Sequence, residues 1–243
     1  MFLNIKLKAV IAFILSLALS FATSIFIYRS INATTTPKLN YTIVLDAGHG
    51  ARDAGCSGVN TGAKESDINL EITLKLKTYL ENFGFNVVLT RKDDSPLYSA
   101  NAKNCKKEDM EKREQIIKEA KADLVISIHQ NSFPELTEKG AQCFFNPENE
   151  SSYKLSNCIQ TQLIKQIENA RKAPNKGDYY ILNITNDLPI SIVECGFLTN
   201  PDEEVLLCDS TYQNKLAYAI MCGIVDYFGI ENTSSQLNDY YTC

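Results

Sequence analysis

Only two histidines occur in 243 residues, and each stands where a hydrophobic run ends. His49 follows Ile43-Val44-Leu45-Asp46-Ala47-Gly48, and His129 follows Leu124-Val125-Ile126-Ser127-Ile128. Open α/β sheets place ligands and catalytic groups at strand ends, and neutral imidazole is the commonest metal ligand. Two rings meeting at one sheet edge can hold a metal ion. A hydrolytic zinc site needs three protein donors and one open position, so a carboxylate or a thiolate must supply the third. Glu65, sixteen residues past His49 and at the start of an apolar-periodic segment, is placed to reach back to that edge. Cys56 is the rival donor, although thiolate-rich sites lean structural. Glu194 follows Ile192-Val193, and a carboxylate inside an apolar run is costly unless paired or functional. Taken singly, each has an ordinary explanation. His49 can sit in a tight bend, His129 can bond to backbone, and Glu65 can favour a helix start.

The joint pattern is more specific. Leu45-Asp46-Ala47-Gly48-His49-Gly50 and Lys64-Glu65-Ser66-Asp67-Ile68-Asn69-Leu70 resemble the opening of the zinc-dependent N-acetylmuramoyl-L-alanine amidases of the amidase-3 family. Ala122 to Ser132 resembles that family's second histidine motif, and Ile192 to Pro201, containing Glu194, resembles its catalytic glutamate motif. Val87-Val88-Leu89-Thr90-Arg91 and Arg113 also fit, so the resemblance spans about Tyr41 to Phe228. It implies His49, Glu65 and His129 as ligands of Zn²⁺ and Glu194 as the acid/base; Arg113 is expected as an ion-pair partner that supports the site, the alternative being a solvated residue of its charged helix. Two imidazoles and one carboxylate leave such a site at net +1, which favours ionising water and polarising an amide oxygen. The implied substrate is peptidoglycan, cut between the lactyl group of N-acetylmuramic acid and L-alanine. Gln130 and Cys195 depart from the residues common in the family, and neither disturbs an implied ligand. The compact form, with Asn175 to Leu182 before the last strand, is similar to the sporulation (CwlD-type) amidases, which prepare spore cortex for muramic-δ-lactam formation. Two other readings remain open: a stem-peptide-binding module or regulated pseudo-enzyme, and a zinc peptidase cutting within the stem. Ligands drawn from separated loops need well-held surroundings, so an accessory protein is a further expected partner.

The elements needed to bring these residues together are legible as alternating strands and helices. Strands are expected at 41–46, 85–90, 123–128, 141–145, 179–182 and 190–195. Helices are expected at 66–83, with Ser66 or Asp67 as cap and Gly84 as terminator, and at 108–120, 151–170 and 216–228. The alternation predicts an α/β fold: a single-domain sandwich with a largely parallel mixed sheet flanked by helices. Asn69 and Arg91 are expected to stabilise loops, and Glu108-Asp109-Glu111 to be a solvated helix face.

Ala9 to Tyr28 is uncharged, with Lys6 and Lys8 before it and Arg29 after. Such a run predicts an N-terminal transmembrane helix or signal segment over 1–29, with the remainder exported. Residues 30–40 read as a linker, 41–230 as the catalytic domain and 231–243 as a tail. The expected location is outside the cytoplasmic membrane of a bacterium, or at the forespore membrane and cortex. The net charge of −5 gives no basic footprint for nucleic acid. Eight cysteines without a CxxC pair permit disulfides in an exported chain, but several lie in apolar runs where free Cys acts as a small core residue.

Overall fold

The computed structural model describes the backbone of residues 2–31 and 38–230, with side chains at 7–21, 23–24 and 38–230. The chain divides into two units, Met1–Lys38 and Leu39–Cys243. The first contains one helix, α1 (Phe2–Ile31). The expected transmembrane segment falls here, but most of its flanks lie outside the described side chains. The longest described stretch, 7–21, is shorter than the roughly 20 apolar residues a bilayer requires. Among the described residues no helix is long and apolar enough to cross a membrane. The expected linker lies largely, and the expected tail wholly, outside the described residues.

The second unit is an α/β sandwich around a six-stranded sheet. Its strands are β1 (Thr42–Ala47), β2 (Asn86–Leu89), β3 (Leu124–Asn131), β4 (Gln142–Phe145), β5 (Asn175–Lys176) and β6 (Ile190–Phe197). They are ordered β2-β1-β3-β6-β4-β5. The pairs β1/β2, β1/β3, β3/β6 and β4/β5 are parallel, and β4/β6 is antiparallel. The helices are α2 (Glu65–Phe83), α3 (Cys105–Glu119), α4 (Glu150–Gln166), α5 (Pro201–Leu207) and α6 (Ser210–Tyr227).

Side chains alternate across a strand, and the two cores follow that alternation. Ile43, Leu45, Ile126, Ile128, Val193 and Cys195 pack on the larger core with α2, α4 and α6. Val44, Val125, Ile190 and Ile192 face the smaller one, with Ile117 of α3 and Ile181. The same period turns Asp46, Ser127, His129 and Glu194 towards the α3 side, so the polar positions of the central strands share one face. Gly223 lets α6 lie against α4: a Cβ there would stand 2.4 Å from the Ile159 Cα.

Several boundaries differ from the sequence reading. Residues 179–182 form no strand. Leu182 N–H bonds back to the Tyr179 carbonyl, and Asn183 ties to Asp178 and Tyr179, closing a 3₁₀ turn over Tyr180–Asn183. Neither Ser66 nor Asp67 caps α2; the capping position is Lys64, without a side-chain bond. Gly84 does end that helix, at φ 110°. α4 stops at Gln166 because Ile167 turns extended, α6 begins at Ser210 under an Asp209 cap, and α5 was not anticipated. The seven described cysteines are all free thiols.

Candidate metal centre and catalytic pocket

The C-terminal ends of β1, β3 and β6 meet the N-terminus of α2 at one edge. There His49, Glu65 and His129 offer ligand atoms that all lie within 4.8 Å of one another. Glu65 Oε1 stands 3.2 Å from His49 Nε2 and 3.0 Å from His129 Nδ1. Glu65 is therefore no simple helix-start charge: its side chain points back over the strand ends. Main-chain amides fix it, Gln130 N–H donating to Oε1 at 3.1 Å and Cys56 N–H to Oε2 at 2.9 Å. Asn69 adds a bond to Oε1 at 3.3 Å and also donates to the Gly48 carbonyl. The Asn69 side-chain oxygen accepts from the Gln130 amide, so Gln130 braces the site.

Two glycines make room for the cluster. A Cβ on Gly48 would lie 2.2 Å from His129 Nε2, and one on Gly55 would lie 2.4 Å from Glu65 Oε2. His49 itself has φ 60°, a left-handed conformation that costs a non-glycine residue about 1–3 kcal/mol. Its backbone is held from outside. Arg113 donates to the carbonyls of Ala47 (2.8 Å) and His49 (2.6 Å), while Arg91 donates to those of Ala47 (2.8 Å) and Gly48 (3.0 Å). Arg113 is not a solvated helix residue. It is 2% exposed and pairs with Asp46 and Asp109, each at 2.6 Å, so Asp109 is likewise drawn out of the expected solvated face.

Two residues of this site were not singled out in the sequence. Asp46 accepts from Thr90, Ser127 and Arg113. Burial pushes its carboxyl up, but the Arg113 charge and the two hydroxyl bonds outweigh that and hold it at about 2. The Asp53 carboxylate accepts from His49 Nδ1–H at 2.9 Å, orienting the ring so that Nε2 faces Glu65. A carboxylate inside an apolar strand, and an acid four residues past a candidate ligand, were the available signals.

The chemistry of the donor set fits a divalent ion with nitrogen and oxygen ligands, as zinc prefers. Burial disfavours a charged His49 ring, yet the bond and charge of Glu65, with Asp53 behind, raise it to about 9. Burial pushes Glu65 the other way, but both histidines outweigh it and keep it firmly ionised. Cys56 stands outside the cluster. Its thiol points at the Gln130 and Asn131 carbonyls, and burial followed by the Glu65 charge pushes it well above the ordinary thiol range.

Glu194 lies opposite His129 in the β3/β6 register. It is 8% exposed, and its Oε2 has no hydrogen-bond partner. Burial, the largest effect, pushes its carboxyl up to about 7 against the pull of the His129 charge. Both residues line a cavity of about 640 Å³, walled by Tyr98, Met110, Tyr179 and Ile181.

A parallel-centred α/β sheet whose strand ends carry a histidine–carboxylate cluster that could hold a metal ion, beside a buried acid with an unpartnered oxygen, is built for hydrolytic chemistry. Comparison makes this specific: residues 43–226 match the Amidase_3 family, described as N-acetylmuramoyl-L-alanine amidase, and the chain belongs to that family. It is 33% identical over 226 residues to the germination-specific N-acetylmuramoyl-L-alanine amidase of Bacillus subtilis, covering 88% of this chain and 94% of the relative. Among solved structures it is similar to the CwlD amidase of Clostridioides difficile in complex with the GerS lipoprotein. That match has a TM-score of 0.75 and 40% identity, and covers 79% of this chain and 100% of that one. The catalytic domain of the amidase CwlV from Bacillus (Paenibacillus) polymyxa aligns with a TM-score of 0.69 and 28% identity, over 79% of this chain and 99% of the other.

Proposed function

We propose that this chain is a zinc-dependent peptidoglycan amidase of spore cortex maturation, cutting between the lactyl group of N-acetylmuramic acid and L-alanine on the way to muramic-δ-lactam. The observation that carries this reading is the convergence of His49, Glu65 and His129 beside the buried, unpartnered carboxylate of Glu194. These three residues would hold the ion, and zinc there supplies Lewis acidity that makes water a better nucleophile and polarises the amide carbonyl. Glu194 takes a proton from the attacking water and returns it to the departing L-alanine nitrogen. A carboxyl raised to about 7 suits both transfers. Asp53 orients the His49 ring, and Arg113 holds the His49 main chain.

The cortex role is supported by the likeness to the germination-specific amidase and to CwlD. An accessory protein is part of the proposal, supported by the lipoprotein seen with CwlD. So is an exported enzyme tethered to the membrane by residues 1–29, supported by the uncharged run from Ala9 to Tyr28. Purified chain is incubated with peptidoglycan and zinc, and the products are identified by mass spectrometry. Stem peptides with a free L-alanine amine support the reading. Intact stems, or a break between amino acids, reject it. Glu194→Ala should abolish release while zinc stays bound; turnover within tenfold of wild type removes Glu194 from the assigned role.

A further inference from the structure

The charges lining the catalytic cavity are not all committed. Asp46 and Asp109 are taken up by Arg113, and Asp53 by His49. Arg52 and Lys106 also line this cavity, both exposed, and neither forms an ion pair among the described residues. They come from different elements. Arg52 sits in the turn closed by the Gly50–Asp53 bridge, with Ala51 at φ 54° and its N–H anchored on Asp94 at 2.6 Å. Lys106 is in the first turn of α3, close enough for its charge to act on Asp53.

The remaining wall is different in kind. Tyr179 and Tyr180 are exposed there, and Asp178 belongs both to this cavity and to a second of about 840 Å³. That second cavity presents Asn146, Asn183 and Asn186 together with a mixed set of charges, Glu148, Asp178 and Lys176, and neither Arg52 nor Lys106 lines it. A groove with two cations and no spare carboxylate on one wall, and aromatic, carboxamide and net-acidic groups on the other, distinguishes the two halves of its substrate. The peptide half of a muramoyl peptide is acidic, and the sugar half offers hydroxyls and apolar ring faces.

We propose that Arg52 and Lys106 form a carboxylate-binding subsite for the peptide half of the substrate, on the residue that follows L-alanine. The subsite rests on the amidase reading above, and it orients the glycan towards Tyr179 and the asparagine-lined cavity. Exposed charge pairs are individually weak, so the two cations together favour a free carboxylate several-fold. Screening by salt weakens such a preference.

The test compares two synthetic muramoyl peptides with the full-length chain and zinc. One carries L-alanine followed by γ-linked glutamate with its α-carboxylate free, and the other has that group as a carboxamide. The expected result is a several-fold lower KM for the free acid, shrinking as salt rises. In R52Q/K106Q the two substrates should become equivalent, and R52K/K106R should restore the preference. Equal KM values in the wild type, or a preference that survives in R52Q/K106Q, overturns the subsite. Failure to cleave either peptide at the lactyl amide would instead overturn the amidase reading.

Discussion

Asp46→Asn should cost this protein several kcal/mol at neutral pH, and part of that cost should vanish in acid. The Asp46 carboxylate is 2% exposed and accepts from Thr90 at 2.7 Å, from Ser127 at 2.6 Å and from Arg113 at 2.6 Å. Removing its charge leaves the 2% exposed guanidinium of Arg113 with Asp109 as its sole counter-ion among the described residues. Breaking a buried pair from one side costs about 3–5 kcal/mol, against a typical total stability of about 5–15 kcal/mol. Part of that cost is a pH-dependent term with a definite sign. The folded-state pKa is lowered from 3.8 to about 2, so the native state holds the ionised form more tightly than the unfolded chain does. The resulting stabilisation is complete above the unfolded value and is lost as pH falls through the folded one. A shift of that size corresponds to about 2 kcal/mol. Urea denaturation followed by circular dichroism, from pH 7 down to pH 2, measures the gap between wild type and variant. The gap should narrow by about 2 kcal/mol below pH 4. A variant within 0.5 kcal/mol (roughly the scale of an ordinary surface substitution) at pH 7, or a gap independent of pH, would refute the argument.

Three more perturbations probe other links. Gly48→Ala places a methyl 2.2 Å from His129 Nε2, so the ring must leave its position; zinc content by metal analysis should fall at least tenfold, and full occupancy would contradict the proposed ligand. Adding zinc to chelator-treated protein should raise its stability, by about 2.7 kcal/mol at a hundredfold excess over Kd, read by thermal melting; an unmoved transition would count against a cation at His49, Glu65 and His129. Gly223→Ala drives a methyl against the Ile159 backbone at 2.4 Å, far from the site. It should lower stability by about 1–3 kcal/mol with zinc stoichiometry intact, so loss of zinc in the folded variant would break the separation drawn here between core and centre.

The sheet and the positions of its chemistry were legible because period and burial agree. Val44, Val125 and Ile192 are apolar on the same face as Asp46, His129 and Glu194, and unbroken apolar runs mark strands buried on both sides. The bounds of α4 and α6 were less legible, since caps and polar first turns such as Ser210 to Lys215 carry no apolar signal. Tyr179-Tyr180-Ile181-Leu182 has strand-like composition, yet Asp178 and Asn183 bond locally and turn the chain, which composition alone does not reveal. At the centre, the order of motifs points to His49, Glu65, His129 and Glu194. The support Asp46 acts through tertiary hydrogen bonds to Thr90, Ser127 and Arg113 that the chain's pattern does not spell out, whereas Asp53 meets His49 locally, four residues on.

The placement of the supports explains why the histidine loop is built as it is. His49 at φ 60° and Ala51 at φ 54° are unfavourable locally. Three successive carbonyls, those of Ala47, Gly48 and His49, are nevertheless each met by a guanidinium. Charge-assisted hydrogen bonds of this kind are roughly twice as strong as neutral ones, enough together to hold two left-handed residues. Glu65 is fixed independently, through Cys56, Gln130 and Asn69. His129 is fixed by the β3 ladder and by the space that Gly48 leaves. The donors are thus held at one point by three separate sets of contacts made by the protein itself. That arrangement puts the conformational cost into folding, where the large apolar core of α2, α4 and α6 can offset it.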